Sequence, residues 1–362
     1  MVKKGKENKK MKKLLMAFVC LFALAALVAC GNNEEENNET PATTEATYTL
    51  GMGVVVDAAY GYGNYNLEVS STVATVVLDS EGKIVLCRID VAQNKIPHTA
   101  NGLVAPAEYL TKMELGDDYG MANSTDNDGN GVMLEWYDQT YAFEKHVIGM
   151  TAQQVKDMPT QTLPNHYEIS NDKALLDAGC SMQIVEFKAA VAKACEDAQA
   201  VTFTTDKAFT LGVAANSADN GSTATTAKVY SDFAAAVVAD GKILAALNDA
   251  VQPVVEVTTE KTVVVPANGH DFRTKREKME DYGMASAEID NDNNGVTLEW
   301  YEQSLAFSNY VVGMTATQVS ELDTVEAGGH YISTDKALLD AGCSMQITGL
   351  MAVVAKAANN AR

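Results

Sequence analysis

Hydrophobic positions fall in distinct blocks along the 362 residues. A charged start with Lys12 and Lys13 runs into a continuous apolar segment that ends at Cys30, about the length of a secretory h-region and short for a membrane span. Asn32 to Ala46 (NNEEENNETPATTEA) then has no aliphatic run and repeats like charges, so it cannot bury enough apolar surface to fold and is expected to be a tether. Beyond it, Thr72–Leu78 and Lys83–Val91 are rich in β-branched residues and flank Asp79-Ser80-Glu81-Gly82, which predicts a hairpin with Val85, Cys87, Ile89 and Val91 on one face. The period turns helical over Leu134–Val147, through Leu134, Tyr137, Tyr141 and Ile148, and Gly149 ends it. Thr151 with Gln154 makes a capping box for a short helix. An apolar turn over Gly179–Ile184 leads into an alanine-rich helix, Phe187–Ala198.

The pattern recurs. Asp172–Ile184 (DKALLDAGCSMQI) returns unchanged at Asp335–Ile347, 163 positions later. Tyr119–Ala122 (YGMA) returns at Tyr282–Ala285, Glu135-Trp136-Tyr137 at Glu299-Trp300-Tyr301, and Thr49-Leu50-Gly51 at Thr210-Leu211-Gly212. The hairpin turn reappears as Asp240-Gly241, with alanine replacing much of the β-branched content, and the capping box as Thr315 with Gln318. Such self-similarity predicts an α+β fold made by tandem duplication of a domain of about 160 residues, each a small twisted antiparallel sheet packed by two or three helices. The copies are expected over 47–200 and 206–362, with the boundary near Gln199–Thr205.

Leu27-Val28-Ala29-Cys30-Gly31 resembles the lipobox of bacterial lipoproteins. The resemblance implies that residues 1–29 are a signal peptide, that the Cys30 sulfur is acylated as the first mature residue, and that 30–46 tethers the remainder outside the cytoplasm, lipid-anchored to the cell membrane. Loss of residues 1–29 removes seven lysines and one glutamate and moves the net charge from −21 to −27. A field of that sign repels nucleic acid and anionic headgroups, so no nucleic-acid partner is expected. Cys87, Cys180, Cys195 and Cys343 remain; no CxxC pair and no zinc-spaced Cys/His cluster occurs.

Ala178-Gly179-Cys180-Ser181-Met182-Gln183, entering a helix, resembles the Ser-Gly-Ala-Ser/Thr-x-Thr motif of the FMN-binding domain family of Rnf- and Nqr-type electron-transport subunits. Gly82-Lys83-Ile84-Val85 sits where that family has a similar turn and strand. The resemblance implies that Gly179, Cys180, Ser181 and Gln183, with Gly342, Cys343, Ser344 and Gln346, form the phosphate end of flavin sites at helix N-termini. The family's attachment threonine is replaced by Gln183 and Gln346, whose amides cannot form the phosphoester; Ser181 and Ser344 offer hydroxyls two residues earlier. The whole layout resembles Gram-positive lipoproteins with tandem flavin domains, which implies extracytoplasmic electron transfer with a redox partner at the cell surface. The alternative is a non-enzymatic lipoprotein that binds a small ligand or a protein with degenerate, cofactor-free domains.

Three further features bear on chemistry. Cys180 and Cys343 stand where a helix dipole would lower a thiol pKa, or are small buried core residues. Asp126, Asp128 and Asn130, with Asp290, Asp292 and Asn294, match the first half of an EF-hand calcium loop, but Tyr137 and Tyr301 occupy its closing position. Glu135 and Glu299 lie two residues before that position. Trp136, Tyr137, Trp300 and Tyr301 read as core, with ring stacking as the other use, and His166 and His330 as surface or capping groups. No Walker loop, GxGxxG, GxSxG or HExxH occurs, so hydrolase and nucleotide-dependent readings have no positive feature.

Overall fold

Strands whose residues are apolar on both faces form the frame. A computed structural model describes residues 45–60, 66–123, 126–164, 167–258, 262–264 and 271–362. Residues 1–29, Cys30, nearly all of the tether and His166 lie outside the described residues.

Strands β1 (Ala46–Tyr60), β2 (Asn66–Leu78) and β3 (Ile84–Thr99) make an antiparallel meander, extended by β4 (Gly102–Leu103) beside β3. Two small hairpins, β5/β6 (Thr160–Thr162, Glu168–Ser170) and β13/β14 (Thr324–Ala327, His330–Ser333), stand apart from the main sheets. The residues expected at the repeat boundary are themselves a strand, β7 (Val201–Thr205), which pairs with β1. A second meander follows, β8 (Thr210–Asp219), β9 (Thr226–Ala239) and β10 (Lys242–Val251). Strand β11 (Val254–Val257) continues the path of β10 along β9 beyond Gln252-Pro253, and β12 (Val263–Val264) pairs with β11.

Helices α1 (Lys112–Leu115), α2 (Trp136–His146), α3 (Ala152–Lys156), α4 (Lys173–Asp177) and α5 (Val185–Cys195) belong to the first half. Their counterparts are α6 (Lys275–Lys278), α7 (Trp300–Tyr310), α8 (Ala316–Ser320), α9 (Lys336–Asp340) and α10 (Thr348–Asn359). The fold is mixed α+β with antiparallel sheets, and both capping boxes close as their sequences predict.

The two large sheets lie face to face. Leu50, Met52, Val54, Val73 and Val77 meet Leu211, Val213, Phe233, Val237 and Leu247 in one core. On the outer face of the first sheet, Val76, Cys87 and Ile89 pack on Trp136, Phe143 and α5. On that of the second, Ala234, Ala236 and Ala246 pack on Trp300, Phe307 and α10. The order is helix, sheet, sheet, helix, and residues 43–362 make one compact unit. Burial on both faces explains why these strands read as near-continuous apolar runs.

Alanine in the second meander reflects close packing. Ala234, Ala235 and Ala236 are fully buried, and α10 lies against β8 and β9. The recurring Thr-Leu-Gly has the same cause. A Cβ on Gly51 would overlap the carbonyl oxygen of Ala194 in α5, and one on Gly212 that of Ala357 in α10. Insertion of even one methyl at such a contact forces the helix off the strand.

One sequence expectation is corrected. Val85 does not share a face with Cys87, Ile89 and Val91: a bulge opposite Val77 and Leu78 puts Ile84 in the helix-side core and turns Val85 towards the other sheet. The matching bulge between Ile243 and Ala245 does the same to Leu244.

Matching residues also bridge the halves reciprocally. Lys193 of α5 pairs with Glu277 at 2.5 Å, and Lys356 of α10 pairs with Glu114 at 2.6 Å. Reciprocal contacts of this kind have the form of a two-fold interface, here within one chain.

Candidate functional site

The turn between α4 and α5 is positioned from three directions. Asp172 caps α4, Gly179 takes φ 92° to leave that helix, and Ile184 donates to the Glu168 carbonyl of β6. The fourth residue of α2, Gln139, reaches under the turn from a fully buried position. Its Oε1 accepts the backbone N–H groups of Ser181 and Met182, both at 3.0 Å, while its Nε2 donates to the Leu134 carbonyl at 3.0 Å. In the second half Gln303 accepts from Ser344 and Met345 and donates to Leu298, at 3.0, 2.9 and 2.9 Å.

The amides that open the turn are also engaged. Gly179 and Cys180 donate to Leu176 and Leu175, and Gly342 and Cys343 to Leu339 and Leu338. A phosphate at a helix N-terminus needs free N–H donors, and those of Gly179–Met182 and Gly342–Met345 already have protein partners. Gln183 extends instead to the Glu186 carboxylate at 3.1 Å. The Ser181 and Ser344 hydroxyls are buried without a hydrogen-bond partner. Gly179–Met182 and Gly342–Met345 thus offer no free amide to a phosphate, and the amides of Gln183 and Gln346 cannot form a phosphoester, while the starts of α5 and α10 carry no side-chain cap.

Cys180 and Cys343 are fully buried, and burial pushes both thiols up to about 12. Desolvation outweighs any helix dipole, and these are neutral core thiols.

The acidic loops lean on the turn. Asn127 donates to the Ser181 carbonyl at 2.9 Å and Asn291 to that of Ser344 at 2.8 Å. Asp126 accepts the Gly131 N–H and Asp290 that of Gly295, which closes each loop, and Asn130 and Asn294 accept from Val132 and Val296 as Asx turns; Gly129 and Asn293, at matching positions, take φ 70° and 56°. Asn130 and Asn294 donate to Asp128 and Asp292, both at 2.8 Å. Asp126, Asp128 and Asp292 each keep one shielded oxygen without a partner. Among the described residues no group of three or more His, Cys, Asp and Glu side chains converges on a metal position. Glu135 and Glu299 face away from these loops and hold the YGMA segments: Glu135 accepts from Met121 and Ala122, and Glu299 from Met284 and Ala285. That bond explains why YGMA and Glu-Trp-Tyr recur together.

Two features escape a reading by motif. Gln139 and Gln303 stand three residues after each recurring Trp, but their partners are about forty residues away. Lys112 and Lys275 open α1 and α6 inside aromatic cages. The Lys112 ammonium lies 5.0 Å from the Tyr119 ring and 5.5 Å from that of Trp136; Lys275 lies 4.9, 4.9 and 5.2 Å from Tyr230, Tyr282 and Trp300. Burial lowers both to about 8, and the rings supply the attraction that keeps the ammonium there. The Thr-Lys-x-Glu shared by 111–114 and 274–277 was the available signal. Both tryptophans are core residues that also form a cage wall.

Buried carboxylates complete the charge pattern. Asp90 and Asp249 accept the N–H groups of Met113 and Arg276 in α1 and α6. Burial pushes Asp90, Asp232 and Asp249 up to about 6.

Comparison with known proteins gives no match: no protein family, no curated protein and no solved structure aligns significantly with this chain.

Two expectations follow from this geometry. Gln139→Leu strands two buried N–H donors and should lower the unfolding free energy by about 2–4 kcal/mol in urea denaturation; an unchanged midpoint would show that the glutamine does not close the turn. A raised folded-state pKa gives stability that is complete below the unfolded value and lost as pH rises through the folded one. Asp90, Asp232 and Asp249 should thus raise the melting temperature between pH 7.5 and 5.0, and Asp232→Asn should flatten that gain. An identical slope in the variant would rule out Asp232 as a source.

Proposed function

We propose that the protein is a lipid-anchored extracytoplasmic binding protein, built from two copies of one cofactor-free domain and held at the membrane through Cys30. The lipobox-like Leu27–Gly31, the apolar segment before it and the acidic tether after it support the anchoring. The recurring sequence and the matched contacts of Gln139 with Gln303, and of Lys112 with Lys275, support the duplication. The observation that carries the cofactor-free reading is the pair of glutamine side chains filling the turns at Ser181-Met182 and Ser344-Met345. With those donors engaged and the thiols buried, the halves are suited to holding a shape and presenting a surface. Flavin-based electron transfer rests on the sequence resemblance of Ala178–Gln183, its second copy, Gly82–Val85 and the tandem layout, and phosphate binding by Gly179–Met182 needs the turn to open. Calcium at the Asp126 and Asp290 loops needs oxygens beyond those that now close the loops.

Protein lacking residues 1–30 should purify colourless, with no absorbance near ~450 nm and no heat on titration with FMN. Bound flavin after purification, or stoichiometric uptake of FMN, would replace this reading with electron transfer.

A further inference from the structure

A cavity opens along α5, beyond the first turn. It occupies about 810 Å³ between α5 of the first half and the segment Arg273–Met279 of the second, within the size range of small-molecule sites. Its apolar lining comes from Met52 and Val54 of β1, Val185, Ala189 and Ala192 of α5, and Met279.

The charges around it are not balanced alike. Asp197 pairs with Arg276 at 3.1 Å, Glu277 with Lys193 at 2.5 Å, and Glu196 with Lys156 at 2.5 Å. Asp249, the fourth lining carboxylate, accepts the backbone N–H groups of Ala250 and Arg276. Every lining carboxylate has a protein partner. Lys188 differs. Its ammonium reaches the Met158 carbonyl, and among the described residues no carboxylate lies within ion-pair distance. Arg273 is paired with Asp271 and Asp281, which are 43% and 70% exposed, so water competes for both bonds.

The matching place in the other half is divided and lacks the lysine. Met351 stands where the first half has Lys188 and is buried among apolar neighbours. The C-terminal Arg362 lies 3.9 Å from the Tyr141 ring centroid and pairs with Glu144 at 2.9 Å. The space is split into about 330 Å³ beside Arg362 and about 430 Å³ beside Leu110 and Lys356.

We propose that the open cavity binds one small amphipathic carboxylate per chain, its head at Lys188 beside Arg273 and its apolar body over Met52, Val54, Ala189 and Ala192. An unpaired ammonium above an apolar floor offers a charge-assisted contact at one end and desolvation at the other. In a chain of net charge −21 an anion is repelled from most of the surface, so a local unpaired cation selects the site. The inference gives a ligand class to the binding role proposed above and rests on it. Its test is separate, because it is read with decanoate and with variants of Lys188 and Ala189, none of which belongs to either turn.

Decanoate titrated calorimetrically into protein lacking residues 1–30 should bind with one equivalent, at least ~10-fold more tightly than decyltrimethylammonium. Lys188→Met, which copies Met351, should weaken decanoate about tenfold or more. Ala189→Phe, which fills the floor without touching a charge, should abolish binding, and it decides the matter where Lys188→Met does not fold. Absence of decanoate binding, two equivalents per chain, equal affinity for the cationic amphiphile, or unchanged affinity in the folded variants would each overturn the proposal.

Discussion

Burial of both large sheets on both faces is the constraint from which the rest follows. Each sheet carries helices on one side and the other sheet on the second, so neither half keeps a solvated sheet face. A sheet covered twice is apolar at successive positions, as Val73–Leu78 of β2 nearly is and Phe233–Ala239 of β9 is throughout. The same double covering sets the small residues. Gly51, Gly53 and Gly212 are where helix backbone rests on strand backbone, and Ala234 and Ala236 are buried under α10 while Ala235 is buried against the other sheet.

With the centre occupied by packing, polar chemistry is displaced to the outer layers, where it is used to hold the fold. Gln139 and Gln303 satisfy the amides of the turns, Glu135 and Glu299 hold the YGMA segments, and Asp90 and Asp249 anchor α1 and α6. Buried donors left alone cost more than paired ones return, so each such side chain fixes a loop that no regular element reaches. The lysine cages act alike, tying a helix start to aromatic residues of the core. These outer features recur in both halves, whereas the open cavity with Lys188 occurs in one. The matched contacts of the turns and cages thus contrast with a cavity at which the corresponding residues differ.

Much of this was legible in the sequence. The α+β class, the Asp79–Gly82 turn, the capping boxes at Thr151 and Thr315 and the helix through Trp136 follow from local residue types and appear in the structure. What was not legible depends on distant partners. Val85 changes face because a bulge adds one residue to the ladder, and nothing at Val85 itself signals it. Gln139 looks like a helix surface residue until the turn at Ser181 is placed above it. The turn at Gly179 has a sequence suited to phosphate, and the side chain that fills it lies about forty positions earlier. Facing sheets were hidden for the same reason: alternation shows that a face is buried and not what covers it.

If the shared sheet core is the basis of the fold, neither half should be stable without the other. Residues 45–205 expressed alone, with β7 retained, should show no cooperative thermal transition as a monomer and should regain one when mixed with residues 206–362. A monomeric 45–205 that melts cooperatively by itself would contradict this account.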